Sequence, residues 1–170
     1  MARTGWQKAW VRVVTTLLTV AVLAAIYCFS MENAEQSDRR SGVISLTIIS
    51  VLHPDYGQMD EIRQQEVYDE TQHVVRKCAH FLEYMALGFM ARLCLESWFG
   101  HKVKNKRLLA LIGFGAGTAY ACTDEAHQLR IDGRSGQWTD VLVDGCGVLA
   151  GAALGTLVVR IVNRRAAEKA

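Results

Sequence analysis

Proline is nearly missing from this chain: Pro54 is the only one in 170 residues. No low-complexity tract and no internal repeat is present, which excludes a tandem-repeat architecture and a Pro-rich or Gly/Ser-rich linker. The net charge is only +2. The basic footprint of a nucleic-acid-binding protein is therefore absent, and no such partner is expected. HExxH and paired ExxH motifs are also absent, so no metal and no cofactor is expected. Ser135 lies near His127 in sequence but in no nucleophile elbow. The five cysteines, Cys28, Cys78, Cys94, Cys122 and Cys146, have neither zinc-site nor disulfide-framework spacing. They lie in or beside apolar runs and are expected to be small buried hydrophobes.

What is present is apolar length. The chain is 51% hydrophobic with a mean hydropathy of +0.11, which suits a small membrane protein with one sizeable polar loop. Trp10–Phe29 is apolar over 20 residues, enough to span a hydrocarbon core of ~30 Å at ~1.5 Å per residue. No A-x-A site follows it, so an uncleaved first transmembrane helix is expected. Glu32–Arg40 reads as a polar loop. Gly42–Leu52 is apolar but too short to cross, so it reads as an interfacial or re-entrant segment, or a helix packed on the bundle; His53-Pro54 ends it. Gln58–Val75 reads as a polar helix. Further spans are expected at Cys78–Phe99, at about Leu108–Cys122 and at about Trp138–Val162.

The expected fold is therefore all-α: an integral membrane four-helix bundle with an extra outer amphipathic or interfacial helical segment. Its divisions are residues 1–30 (first transmembrane helix), 31–76 (extracytoplasmic, partly helical), 77–162 (three-helix core) and 163–170 (cytoplasmic tail). Cations cluster in the N-terminal arm, in His101–Arg107 and at the C-terminal end. An even number of spans puts all three clusters on one side, and the positive-inside rule makes that side cytoplasmic. Both termini are therefore expected on the cytoplasmic side. Gly113/Gly117 and Gly147/Gly151/Gly155 recur every four residues, which predicts close packing between the third and fourth spans.

Ionisable groups at the ends of apolar spans are costly to bury and point to function by default. The stretch Thr123–Gly147, TDEAHQLRIDGRSGQWTDVLVDGCG, packs nine polar or charged candidates between two uncharged runs, and a second cluster lies at Arg76–Tyr84. Helical spacing groups Lys77, His80 and Tyr84 on one face with Glu83 beside them. It also groups Asp124, His127 and Gln128, and sets Asp140 one turn from Asp144. Three helices would deliver these groups to one depth. Arg134 sits in a glycine-containing turn, where its planar fork suits a phosphate or carboxylate.

These segments together resemble the VanZ-like family of bacterial membrane proteins. The resemblance is carried by KCAHFLEYMALGF (77–89), DEAHQ (124–128), the GR at 133–134 and DVLVDGCGVLAG (140–151). It covers roughly Val74–Gly155. It implies matching polar positions at Lys77, His80, Tyr84, Glu125, Gln128, Arg134 and Asp140. Asp144 stands where the family often has Asn, and Asp132 where it often has Pro. The family name comes from a member linked to teicoplanin resistance, so the implied partners are the lipid bilayer and a lipid-linked envelope intermediate or a glycopeptide. Three readings stay open. The first is binding at an outward-facing polar site, by Lys77, Tyr84, Gln128, Arg134, Asp140 and Asp144. The second is an enzyme on a phosphorylated lipid-linked substrate, with His80 or Glu125 as general acid/base. The third is a purely structural network that ties the helices together. Transport by a proton relay is a weaker fourth, and nothing in the sequence specifies an oligomeric state.

Overall fold

A computed structural model describes residues 5–131 and 138–168. Among these residues the chain is all-helical, with α1 (Ala9–Ser30), α2 (Ala34–Leu52), α3 (Glu61–Phe99), α4 (Lys106–Gln128) and α5 (Trp138–Glu168). Three of them, α1, α3 and α5, are long and apolar enough to cross a membrane. By that measure there are three where four were expected, although α4 still runs from one end of the bundle to the other alongside α1. Lys106 and Arg107 open α4, and Asp124 and Glu125 sit near its end, so its uncharged stretch falls short of the ~20 residues a bilayer core demands.

Large apolar side chains on these helices face outward: Leu17 and Leu111 are each 63% exposed and Leu149 is 56% exposed. Such a surface suits lipid tails. All five cysteines are free, and Cys28, Cys78, Cys122 and Cys146 are exposed rather than buried as expected. Burial is a rule for proteins in water; on a membrane helix the exterior is apolar too, so a small hydrophobe gains little by turning inward.

α1 runs antiparallel to α3 and parallel to α4. Thr15 of α1 touches Ser97 near the end of α3 at 3.1 Å, and the Tyr120 hydroxyl of α4 donates to Leu23 O of α1 at 3.0 Å. The beginning of α1, the end of α3, the beginning of α4 and the second half of α5 thus share one end of the bundle. Arg92 and Glu96 of α3 are buried there; Arg92 bonds Glu96 and Thr156 at 3.1 Å each, and Glu96 also holds Lys106 at 3.0 Å.

α3 and α5 form the closest helix pair. Here the expectation that the glycines join the third and fourth spans is corrected. A Cβ on Gly147 would lie 2.5 Å from Phe81 O, one on Gly151 would overlap Met85 O, and one on Gly155 would lie 3.1 Å from Arg92. The α5 stripe therefore receives α3, running parallel to it. α4 contributes only Gly117, which admits Val148 of α5.

Residues 31–76 also depart from expectation. The supposed loop at Glu32–Arg40 is the first half of α2, started by a capping box between Asn33 and Gln36. The polar helix and the second span are one helix, α3. Its 39 residues reach ~58 Å at ~1.5 Å per residue, about twice the bilayer core. Its polar first half runs antiparallel to α2 as a helical hairpin. Gln72 pins the two: its carbonyl accepts from Ser41 at 2.6 Å and Ser45 at 3.1 Å, and its amide donates to Asp38 O at 3.2 Å and the Tyr68 hydroxyl at 2.9 Å. All four of its hydrogen-bonding positions are filled.

Candidate functional site

The other end of the bundle gathers the end of α1, α2, the middle of α3, the end of α4 and the start of α5. Between α1, α2, α3 and α4 opens a cleft of about 200 Å³. Arg40 and Arg76 stand at its rim, and His80, Glu83 and Asp124 line its interior. Ile26, Phe29, Ile44 and Val75 give it an apolar wall. Each rim arginine has an acidic neighbour: Arg40 pairs with Glu32 at 3.1 Å and Arg76 with Asp38 at 3.0 Å. Arg40 also lies over the Phe29 ring at 4.1 Å, a cation–π contact that fixes its direction.

Behind the cleft wall, His80 Nδ1 faces Asp144 Oδ1 across 3.6 Å. Asp144 is 1% exposed. Neither atom has a hydrogen-bond partner within normal length among the described residues, and neither do the Tyr84 hydroxyl or Ser30 Oγ. An unpaired buried polar group typically costs about 1–3 kcal/mol, so four of them around one cleft is a strained arrangement for a purely structural network. Tyr84 is fully buried and feels both Asp124 and Asp144. Its ring tilts against Tyr120 at 6.4 Å.

The sequence-derived candidates fall into separate places. Lys77 and Asp140 form an ion pair that ties α3 to the first turn of α5; Lys77 turns toward α5 and does not line the cleft. Gln128 is buried and donates to Asp124 at 3.3 Å. Glu125 is buried, with its own partner, and is not among the cleft's lining residues. His127 leaves Asp124 and packs on α1, its ring 5.9 Å from that of Tyr27. Arg134 lies outside the described residues. Among those residues, no three His, Cys, Asp or Glu side chains are grouped to hold a metal ion.

Sequence reasoning missed Arg40 and gave Arg76, Glu83 and Asp124 no role. Arg76 and Glu83 stood in a recognised cluster, next in sequence to Lys77 and Tyr84 and each about one turn from His80. Arg40 had a signal as well: the N-x-x-Q pattern at 33–36 marks a helix start, which places Ser37, Arg40 and Ser41 on one helical face.

A family model described as VanZ/LLP1 matches residues 15–160. No curated protein and no solved structure matches the chain. The match begins within α1 and takes in the α2–α3 hairpin, so it extends well beyond the Val74–Gly155 segment in which the resemblance was visible. The residues that shape the cleft, from Ile26 to Asp124, all fall inside that range, and the chain belongs to the VanZ/LLP1 family.

Proposed function

We propose that this membrane protein binds the polar end of a lipid-linked envelope component in the α1–α4 cleft, on the outer side of the bacterial plasma membrane. The observation that carries this reading is the cleft's composition: two rim arginines, ionisable groups within, and an apolar wall in which Ile44 is exposed on the outside of the bundle. That is the pattern of a site for an amphiphile. Size favours a headgroup over a whole antibiotic, because about 200 Å³ lies below the ~300–1,000 Å³ of pockets that enclose drug-sized ligands. Any effect on teicoplanin susceptibility would then act through the bound envelope lipid. The outward direction rests on cations: the arm before α1, the α3–α4 connection and the end of α5 carry them at the opposite end of the bundle.

A second reading is enzymatic, and the His80–Asp144 approach favours it. A buried carboxylate behind a histidine is how a general base is oriented. His80 would accept the proton of a water whose oxygen bonds to phosphorus while the phosphoester P–O bond breaks, and would return that proton to the departing alkoxide, which leaves as the alcohol. Glu125, off the cleft, is the weaker candidate for that role.

The test is lipid co-purification by mass spectrometry on wild type, Arg76→Gln and His80→Ala. Wild type should retain a defined lipid class. Arg76→Gln should lose it, and His80→Ala, which alters the lining but leaves both rim arginines, should weaken retention less. Failure of wild type to hold any lipid above the background of an unrelated membrane protein would overturn the reading. Turnover of the retained lipid by wild type but not by His80→Ala would establish the enzymatic one.

A further inference from the structure

The cleft separates its charges by depth. The rim arginines are 42% and 41% exposed. Glu83 is half-buried and Asp124 is 6% exposed. Among the described residues neither inner carboxylate is in an ion pair: Asp124 accepts the Gln128 amide, and Glu83 feels first the His80 imidazole beside it and then Arg40 at the rim. Ser30, 3% exposed, lines the same cleft with an unpartnered hydroxyl, and the unpartnered Tyr84 hydroxyl lies beside Asp124. A positive rim thus leads to a floor of two carboxylates around the His80 imidazole, with unfilled hydrogen-bonding groups beside them.

We propose that the cleft recognises a zwitterionic aminophospholipid headgroup, its phosphate at Arg40 and Arg76 and its primary ammonium at Glu83 and Asp124. This deepens the binding reading above and rests on it. The rim can exchange partners, because solvent-exposed ion pairs like Arg40–Glu32 and Arg76–Asp38 are each worth only about 0–1 kcal/mol. A phosphate offers both arginines a stronger acceptor. The floor selects the other end of the ligand. An anionic headgroup without an amine would leave the carboxylates facing it unpaired, which disfavours it. A quaternary ammonium has no N–H to give Glu83, Asp124 or the Ser30 hydroxyl. Among the described lining residues Phe29 is the one phenyl, phenol or indole ring, and Arg40 covers it, so they form no aromatic cage of the kind such a cation prefers. The apolar wall takes the first carbons of the acyl chains.

The experiment uses the full chain in maltoside micelles, with native mass spectrometry as readout. Dioleoyl phosphatidylethanolamine, phosphatidylcholine, phosphatidylglycerol and phosphatidic acid are offered at equal concentration. Phosphatidylethanolamine should be held about tenfold more than the others, which corresponds to about 1.4 kcal/mol. Glu83→Gln should erase that preference with phosphatidic acid binding intact, and Arg76→Gln should weaken all four. Soluble phosphoethanolamine should compete where inorganic phosphate at the same concentration does not; equal competition by the two would overturn the role of the amine. Equal retention of all four lipids by wild type, a result that needs no variant to fold, would overturn the zwitterion proposal and leave lipid binding standing. No retained lipid of any kind would overturn both.

Discussion

Single residues differ widely in what their loss should cost, and the structure ranks them. Glu96 is 4% exposed and holds both Arg92, fully buried, and Lys106. Glu96→Ala would strand the Arg92 cation in the bundle and should cost about 3–5 kcal/mol. Glu32→Ala removes the acid from an exposed pair with Arg40 and should cost no more than about 1 kcal/mol. Reversible unfolding in detergent separates the two; equal losses would mean that Glu96 is solvated after all. Glycines divide in the same way. A Cβ at Gly151 would overlap the Met85 carbonyl and lie 2.7 Å from Phe89 N. Backbone cannot swing aside as a side chain can, so Gly151→Ala should push α5 off α3 and cost about 1–3 kcal/mol. Gly115 meets nothing within 4 Å, so Gly115→Ala should be neutral or gain up to ~1 kcal/mol from helix propensity. Melting temperatures that move together for these two variants would remove the close-approach argument.

At the level of helices, α1 and α5 could be read from the sequence because apolar length alone defines them. α3 could not be read as one helix. Its first half has no apolar run, and its exposed face is built from local pairs such as Arg63–Glu66 at 2.9 Å and Gln65–Asp69 at 2.9 Å. Only packing against α2 shows that the polar half and the apolar half are continuous. The site was legible in the same partial way. Spacing along α3 picked out Lys77, His80 and Tyr84, but spacing says nothing of which neighbour each meets. Lys77 goes to Asp140 and His80 to Asp144 because α3 and α5 run parallel, a fact the glycine periods alone could not supply. Arg40 enters the cleft from a helix that is more than thirty residues from Arg76 in sequence, and its position depends on Gln72. Gln72→Leu leaves Ser41, Ser45 and Tyr68 without a partner amide, each a loss of about 1–3 kcal/mol if it stays buried. Amide hydrogen exchange should accelerate along α2 while α5 and the second half of α3 keep their protection. Uniform acceleration across all helices would show that the hairpin is not a separate unit of stability.

The whole molecule is polarised along the bundle axis. One end carries the α2–α3 hairpin and the cleft. The other carries Arg12, Lys102, Lys104, Lys106, Arg107, Arg164 and Arg165 with the buried Arg92–Glu96–Lys106 network. Lysine and arginine are retained on the cytoplasmic side during insertion, so the cation-rich end should be inside and the hairpin outside. The hairpin is itself rich in acid, which the rule leaves free to cross. This orientation also bears on the proposed ligand, since a cleft opening inward would meet a different leaflet and no exported antibiotic target. Single cysteines placed in a cysteine-free background test it in intact cells. Asp55 is exposed at the tip between α2 and α3, and Asn105 is exposed just before α4. A membrane-impermeant maleimide should label Asp55→Cys in intact cells and reach Asn105→Cys only after the membrane is opened. The reverse pattern would turn the molecule over and place the cleft on the cytoplasmic leaflet. Labelling of both sites in intact cells would mean that α3 does not cross the membrane at all, because its second half is the only segment that separates them as a span.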